Sequence, residues 1–168
     1  MAIGLNRIEA LIEKLDRSLD LSSTTITGLK LATLFGNGTS AKTANFTAAA
    51  GYIYLITKLD GCDVVLPAPT IGARIRLVFG AVTSNEHTIT SDAATTLYTG
   101  YALMQDTLDG TAAQHVVFAP DGSNDRILTM NGTTTGVSGV IDLLGTSTTE
   151  WLIEGTIASS GTVATPFS

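Results

Sequence analysis

Two histidines, one cysteine and a few closely spaced acids are the residues through which this chain could do chemistry. His87 and His115 each stand alone in a threonine-rich apolar stretch. A histidine so placed reads as a packed or surface side chain rather than a ligand. A Ser-His-Asp relay needs one serine singled out from the many, and no Gly-x-Ser-x-Gly elbow does so. Cys62 has no second cysteine, which excludes an intrachain disulfide framework and a cysteine-rich metal site. It reads as a small core residue. Asp106 and Asp109 could act as paired glycosidase carboxylates, but any acidic β protein offers such a pair. Asp121-Gly-Ser-Asn-Asp125 resembles the start of a calcium loop. The downstream bidentate Glu of that loop is missing, so the segment reads as a hairpin turn. No P-loop and no glycine-rich dinucleotide unit is present. No catalytic residue, cofactor or metal is therefore expected, and the chain is not expected to be an enzyme.

Composition points toward assembly. The chain has 168 residues, enough for one domain or one domain with an appendage. Charged residues make up 14%, against the usual ~25%. Much of the surface must then be Ala, Thr, Ser, Gly and aliphatic, which suits contact with sister copies or a larger body. The formal net charge of −6 disfavours a nucleic-acid partner, which needs a basic face, and an anionic membrane surface. No apolar run approaches the ~20 residues of a spanning helix. Met1-Ala-Ile-Gly-Leu-Asn-Arg lacks the charged and apolar regions of a secretory signal.

Two kinds of element must position whatever the chain presents. Ile8, Leu11, Ile12, Leu15 and Leu19 form one stripe at helical spacing. Asn6 and Glu9 make a capping pair, and Glu13 and Arg17 an (i, i+4) pair. About four turns are marginal alone in water, so the stripe is the expected interface. It could pack on its own domain, on the same helix of sister subunits, or on a foreign protein. Beyond residue 24 the period changes to two. Strands are expected near 26–34, 45–48, 52–58, 63–66, 74–79, 87–91, 96–98, 115–119, 126–130, 137–144 and 150–157. Turn signals separate them: Asn37-Gly38, Asp60-Gly61, Asp109-Gly110, Asp121-Gly122 and Asn131-Gly132. The polar stretch 37–43 reads as a hinge. This predicts an N-terminal amphipathic helix and arm over 1–43 and a β-rich body over 44–168. The body is expected to be mainly β, an antiparallel sandwich or barrel of jelly-roll-like kind. Trp151, Phe79, Val78 and Phe118 read as core.

Three segments carry a resemblance. The first is Leu66-Pro-Ala-Pro, Gly72 and the strand from Arg74 to Phe79, leading to His87-Thr-Ile-Thr. The second is Asn131-Gly-Thr-Thr-Thr-Gly136 with the apolar strand after it. The third is Glu150-Trp-Leu-Ile-Glu-Gly with the tail Ala164-Thr-Pro-Phe. Together they resemble a β module of tailed-bacteriophage virion proteins, in head-decoration and fibre-like subunits. The resemblance implies a structural, usually trimeric subunit on the outside of a particle. The expected partners are its own copies and the major capsid protein, on a virion assembled after synthesis in the host cytoplasm. A decoration (cement) role over the capsid shell is the leading expectation. The alternative is a fibre or knob domain binding a host glycan, for which Tyr52, Tyr54, Tyr98 and Tyr101 supply the aromatic candidates.

Overall fold

The structure, a computed structural model, describes residues 38–80, 85–106 and 115–168. The helical stripe Ile8, Leu11, Ile12, Leu15 and Leu19 and the strand expected over 26–34 lie outside the described residues. Eleven strands form among the described residues: β1 (Gly38–Lys42), β2 (Phe46–Thr47), β3 (Tyr52–Ile56), β4 (Asp63–Val65), β5 (Arg74–Phe79), β6 (His87–Thr90), β7 (Leu97–Asp106), β8 (His115–Phe118), β9 (Ile127–Met130), β10 (Ser138–Gly145) and β11 (Glu150–Ser159). A larger sheet has the order β1-β3-β5-β10-β11-β7-β8, and a smaller one β2-β4-β6-β9. The chain is mainly β, as its period-two pattern predicts.

The pairing differs from the all-antiparallel expectation. Of the nine strand pairings among the described residues, five are parallel: β1–β3, β3–β5, β2–β4, β4–β6 and β7–β11. The cause is the path of the chain. From β1 to β6 each connection crosses from one sheet to the other, so a strand meets the next but one, running the same way. Short strands with turn signals between them are compatible with this winding and with hairpins alike. Only β6–β9, β5–β10, β10–β11 and β7–β8 are antiparallel.

Two strands depart from expectation in extent. The stretch 37–43, read as a hinge, contributes β1, which pairs along its whole length with β3 from Gly38↔Tyr52 to Lys42↔Ile56. β7 runs to Asp106 rather than ending at Tyr98, and it pairs with β11 throughout. Gly100 lies within the part of β7 that the expected strand left out. It looks like a turn residue, and its φ of 97° is indeed left-handed. Here it lets two strands approach: a Cβ would lie 2.1 Å from the Ile153 carbonyl oxygen.

The inward residues of both sheets belong to one hydrophobic cluster. Ile56, Ile75, Leu77, Ile141, Leu143, Trp151 and Ile153 of the larger sheet join Val64, Ile89, Leu128 and Met130 of the smaller. Each fully buried aliphatic side chain contributes roughly 1.5–3 kcal/mol over an exposed one. The Tyr98 hydroxyl donates to the Ile89 carbonyl at 2.9 Å, linking β7 to β6.

The three resembling segments act as staples of this body. Trp151 Nε1 donates to the Pro67 carbonyl at 3.2 Å, tying the Leu66-Pro-Ala-Pro strand end to β11. Asn131 Oδ1 accepts from Thr133 N at 2.9 Å and Thr135 N at 3.2 Å. The Thr133 carbonyl then accepts from buried Ser159 Oγ at 2.7 Å. The tail returns to β9, where Phe167 bridges Leu128.

Candidate interaction face

Residues paired in register point to the same side of a sheet, so the register shows what the larger sheet presents outward. One row crosses all seven strands: Ala41, Leu55, Val78, Val140, Thr156, Leu103 and Val117. Thr156 is its one polar member. Val117 is 61% exposed and Val140 36%. Val78, expected in the core, is half-buried in this outward row, because Phe79 and Leu77 are the β5 residues that face inward.

Beside it runs a mixed row: Thr39, Ile53, Arg76, Asp142, Glu154 and Tyr101. Arg76 holds Asp142 through two bonds, Nε to Oδ1 at 2.6 Å and Nη2 to Oδ2 at 2.7 Å. The hydrogen bond to Asp142 raises the guanidinium pKa, against a smaller opposing effect of burial. Tyr101 Oη donates to Glu154 Oε1 at 2.7 Å, and that bond raises the phenol's pKa. A third row, Arg74, Leu144, Leu152 and Thr99, lies beyond. Tyr101, Leu103, Val140, Asp142, Glu154, Gly155 and Thr156 line a shallow depression of about 240 Å³ in the middle of the face.

The outer face of the smaller sheet is different. There the register brings together Thr47, Val65, Thr90 and Ile127, and beside them Asp63, Thr88 and Thr129. Thr88 Oγ1 donates to Asp63 Oδ1 at 2.7 Å, and Asn45 Nδ2 to Asp63 Oδ2 at 2.7 Å. Threonines and Asp63 alternate here with two aliphatic side chains, of which Val65 is 42% exposed.

The residues with chemical potential are dispersed. His87 is 1% exposed with its ring 5.0 Å from that of Phe79, whereas His115 is exposed at the start of β8. Cys62 is buried, its Sγ 3.4 Å from the Ala44 carbonyl oxygen, and burial pushes its thiol pKa up. Asp121 turns its carboxylate onto its own loop. Oδ1 accepts from Ser123 N at 2.8 Å and Ser123 Oγ at 2.9 Å, which holds its pKa down. The Asp121 N–H donates to Asp125. Among the described residues no group of three His, Cys, Asp or Glu gathers as a metal site would. Asp109 lies outside the described residues.

The tyrosines divide. Tyr54 and Tyr98 are buried, and burial raises the Tyr98 phenol's pKa far above its usual value. Tyr52 is half-buried and stacks on Tyr54 at 5.6 Å. Tyr101 alone of the four is exposed, at 41%. The sequence reading passed over Arg76, Asp142, Glu154, Val140 and Val117. A signal was present: β3 (Tyr-Ile-Tyr-Leu-Ile) and much of β10 are apolar at both parities, the mark of a strand covered on both faces.

Neither models of known protein families nor curated proteins match this chain.

Proposed function

We propose that this chain is a structural virion protein, a decoration (cement) subunit that binds the outer capsid shell of a tailed bacteriophage as a homotrimer and stabilises it. The single observation that carries the reading is the apolar row crossing the outside of the seven-stranded sheet. A charge-poor body with such a face is suited to burial against other protein rather than to water. The resemblance of the segments from Leu66 onward adds the particle. In this reading the two sheets pack as a sandwich around their shared core. The stripe Ile8, Leu11, Ile12, Leu15 and Leu19 supplies a further contact, and the major capsid protein is the partner. Trimers over junctions between capsid subunits would touch several neighbours at once, and linked weak contacts multiply. Binding only the assembled shell stabilises it by mass action.

Particles lacking the protein should release DNA at lower temperature or under milder osmotic stress, and adding purified protein should restore the parent behaviour. Unchanged particle stability with weakened adsorption to host cells would sink this reading. That outcome belongs to the second one, a fibre or knob domain binding a host glycan. One observation favours it: the exposed Tyr101 ring stands beside Glu154 and Asp142 in the central depression. Aromatic faces with carboxylates nearby are the chemistry that holds a sugar ring.

A further inference from the structure

The outward face of the larger sheet needs an occupant, and its features select one. We propose that it is the surface on which copies of this chain pack against one another, sheet face to sheet face. The proposal deepens the reading of the chain as an assembly subunit and names the partner of that same face. Size is the first argument. The three outward rows, crossing seven, six and four strands, cover roughly 550 Å² of flat sheet, close to the ~600 Å² per partner at the lower end of standard interfaces. Charge is the second. Arg74 and Glu154 line one depression on this face, and neither has an ion-pair partner among the described residues. About a twofold axis a copy of the same face offers the opposite sign to each, so a self-complementary packing can pair Arg74 of one copy with Glu154 of the next; this contact joins copies in pairs, and the threefold contact of the proposed trimer uses another surface. The third argument is the contrast between the sheets. The outer side of β2-β4-β6-β9 carries several threonines, with Thr88 and Asn45 both donating to Asp63, and offers no apolar row of comparable length, although Val65 is 42% exposed there.

The test uses the full chain without particles. The parent should sediment as an oligomer at micromolar concentration. Val140→Lys with Val117→Lys changes two outward side chains, one near the middle of the face and one at its β8 edge, and should weaken association ~100-fold or more by burying charge in the contact. Far-ultraviolet circular dichroism and Trp151 fluorescence should match the parent. A Val140→Cys variant gives a second measurement independent of the charges. Cys62 is buried in the core, so the introduced thiol is the one that reacts. Its labelling should be slow in the assembled protein and fast on dilution. Three results overturn the proposal: a monomeric parent, a lysine variant with the parent's mass, or an introduced thiol that labels equally fast in both states. A lysine variant that loses glycan binding while keeping its mass also overturns it, in favour of a sugar as occupant. Oligomerisation intact but particle binding absent would leave this face standing and remove the capsid reading. Particle binding by a monomeric parent would do the reverse.

Discussion

His87 pairs a buried imidazole with an apolar neighbour. Its Nδ1 has no hydrogen-bond partner among the described residues. Burial lowers its pKa, nearby Lys58 lowers it further, and Asp63 opposes both. The unfolded chain therefore takes up a proton first as pH falls from about 6.5. The stability that the neutral imidazole contributes is present above that pH and declines below it, down to the folded state's own pKa. Urea midpoints of parent and His87→Gln, compared across this range, should show the parent losing more stability on acidification. A gap between the two proteins that does not change with pH would mean that the imidazole is not held neutral. Asn131 gives a second case. Its amide holds the loop through Thr133, Thr134 and Thr135. Asn131→Ala should cost about 1–3 kcal/mol by leaving those groups unpaired, whereas Asn131→Asp should recover part of the loss by keeping the acceptor. At this scale the turns were legible. Gly61, Gly122 and Gly132 adopt left-handed φ where Asp-Gly and Asn-Gly marked them. Val78 was not, because in an apolar run the parity that faces inward is set by partners remote in sequence.

Gly100 carries the element-scale lesson. Its left-handed φ and its closeness to the Ile153 carbonyl hold β7 against β11. Gly100→Ala should therefore destabilise the protein by about 2–4 kcal/mol, read from thermal unfolding. The Arg76–Asp142 pair between β5 and β10 should matter far less. Both side chains are more than a third exposed, so Asp142→Asn should cost under ~1 kcal/mol, and less at high salt. A larger effect would mean that this pair, rather than apolar packing, fixes the β5–β10 register. Strand existence was legible for ten of the described strands because period two and turn residues are local signals. Strand direction was not, since it depends on which sheet each connection enters. β1 was missed because Gly-Thr-Ser-Ala-Lys lacks an apolar alternation of its own, and its order comes from pairing with β3.

The described β body has two unlike outer sheet faces, and this asymmetry yields a control experiment. Thr129 lies on the threonine side, opposite Thr88 in the β6–β9 ladder. Thr129→Lys should leave the sedimentation mass unchanged, because that surface is already compatible with water. If it dissociates the protein as completely as lysines at Val117 and Val140, contact between copies is not confined to the larger sheet. The candidate face was only partly legible in the sequence. Composition said that apolar surface must exist, and strands apolar at both parities said which elements carry it. Only the register shows that Val78, Val140, Leu103 and Val117 align into one row, since these residues come from four separate strands.

The position of β11 governs how this body can be made. It is the latest in chain order of the described strands, yet it lies inside the larger sheet between β10 and β7. Before Glu150 is synthesised, β7 with β8 and the group β1-β3-β5-β10 are separate pieces, each ending in an unpaired edge. Open edges flanked by apolar faces invite pairing with the wrong chain. A nascent chain thus passes through a vulnerable interval that closes when the ten-residue β11 inserts between the two halves. Chains interrupted before that strand should collect in the insoluble fraction rather than persist as a smaller folded body.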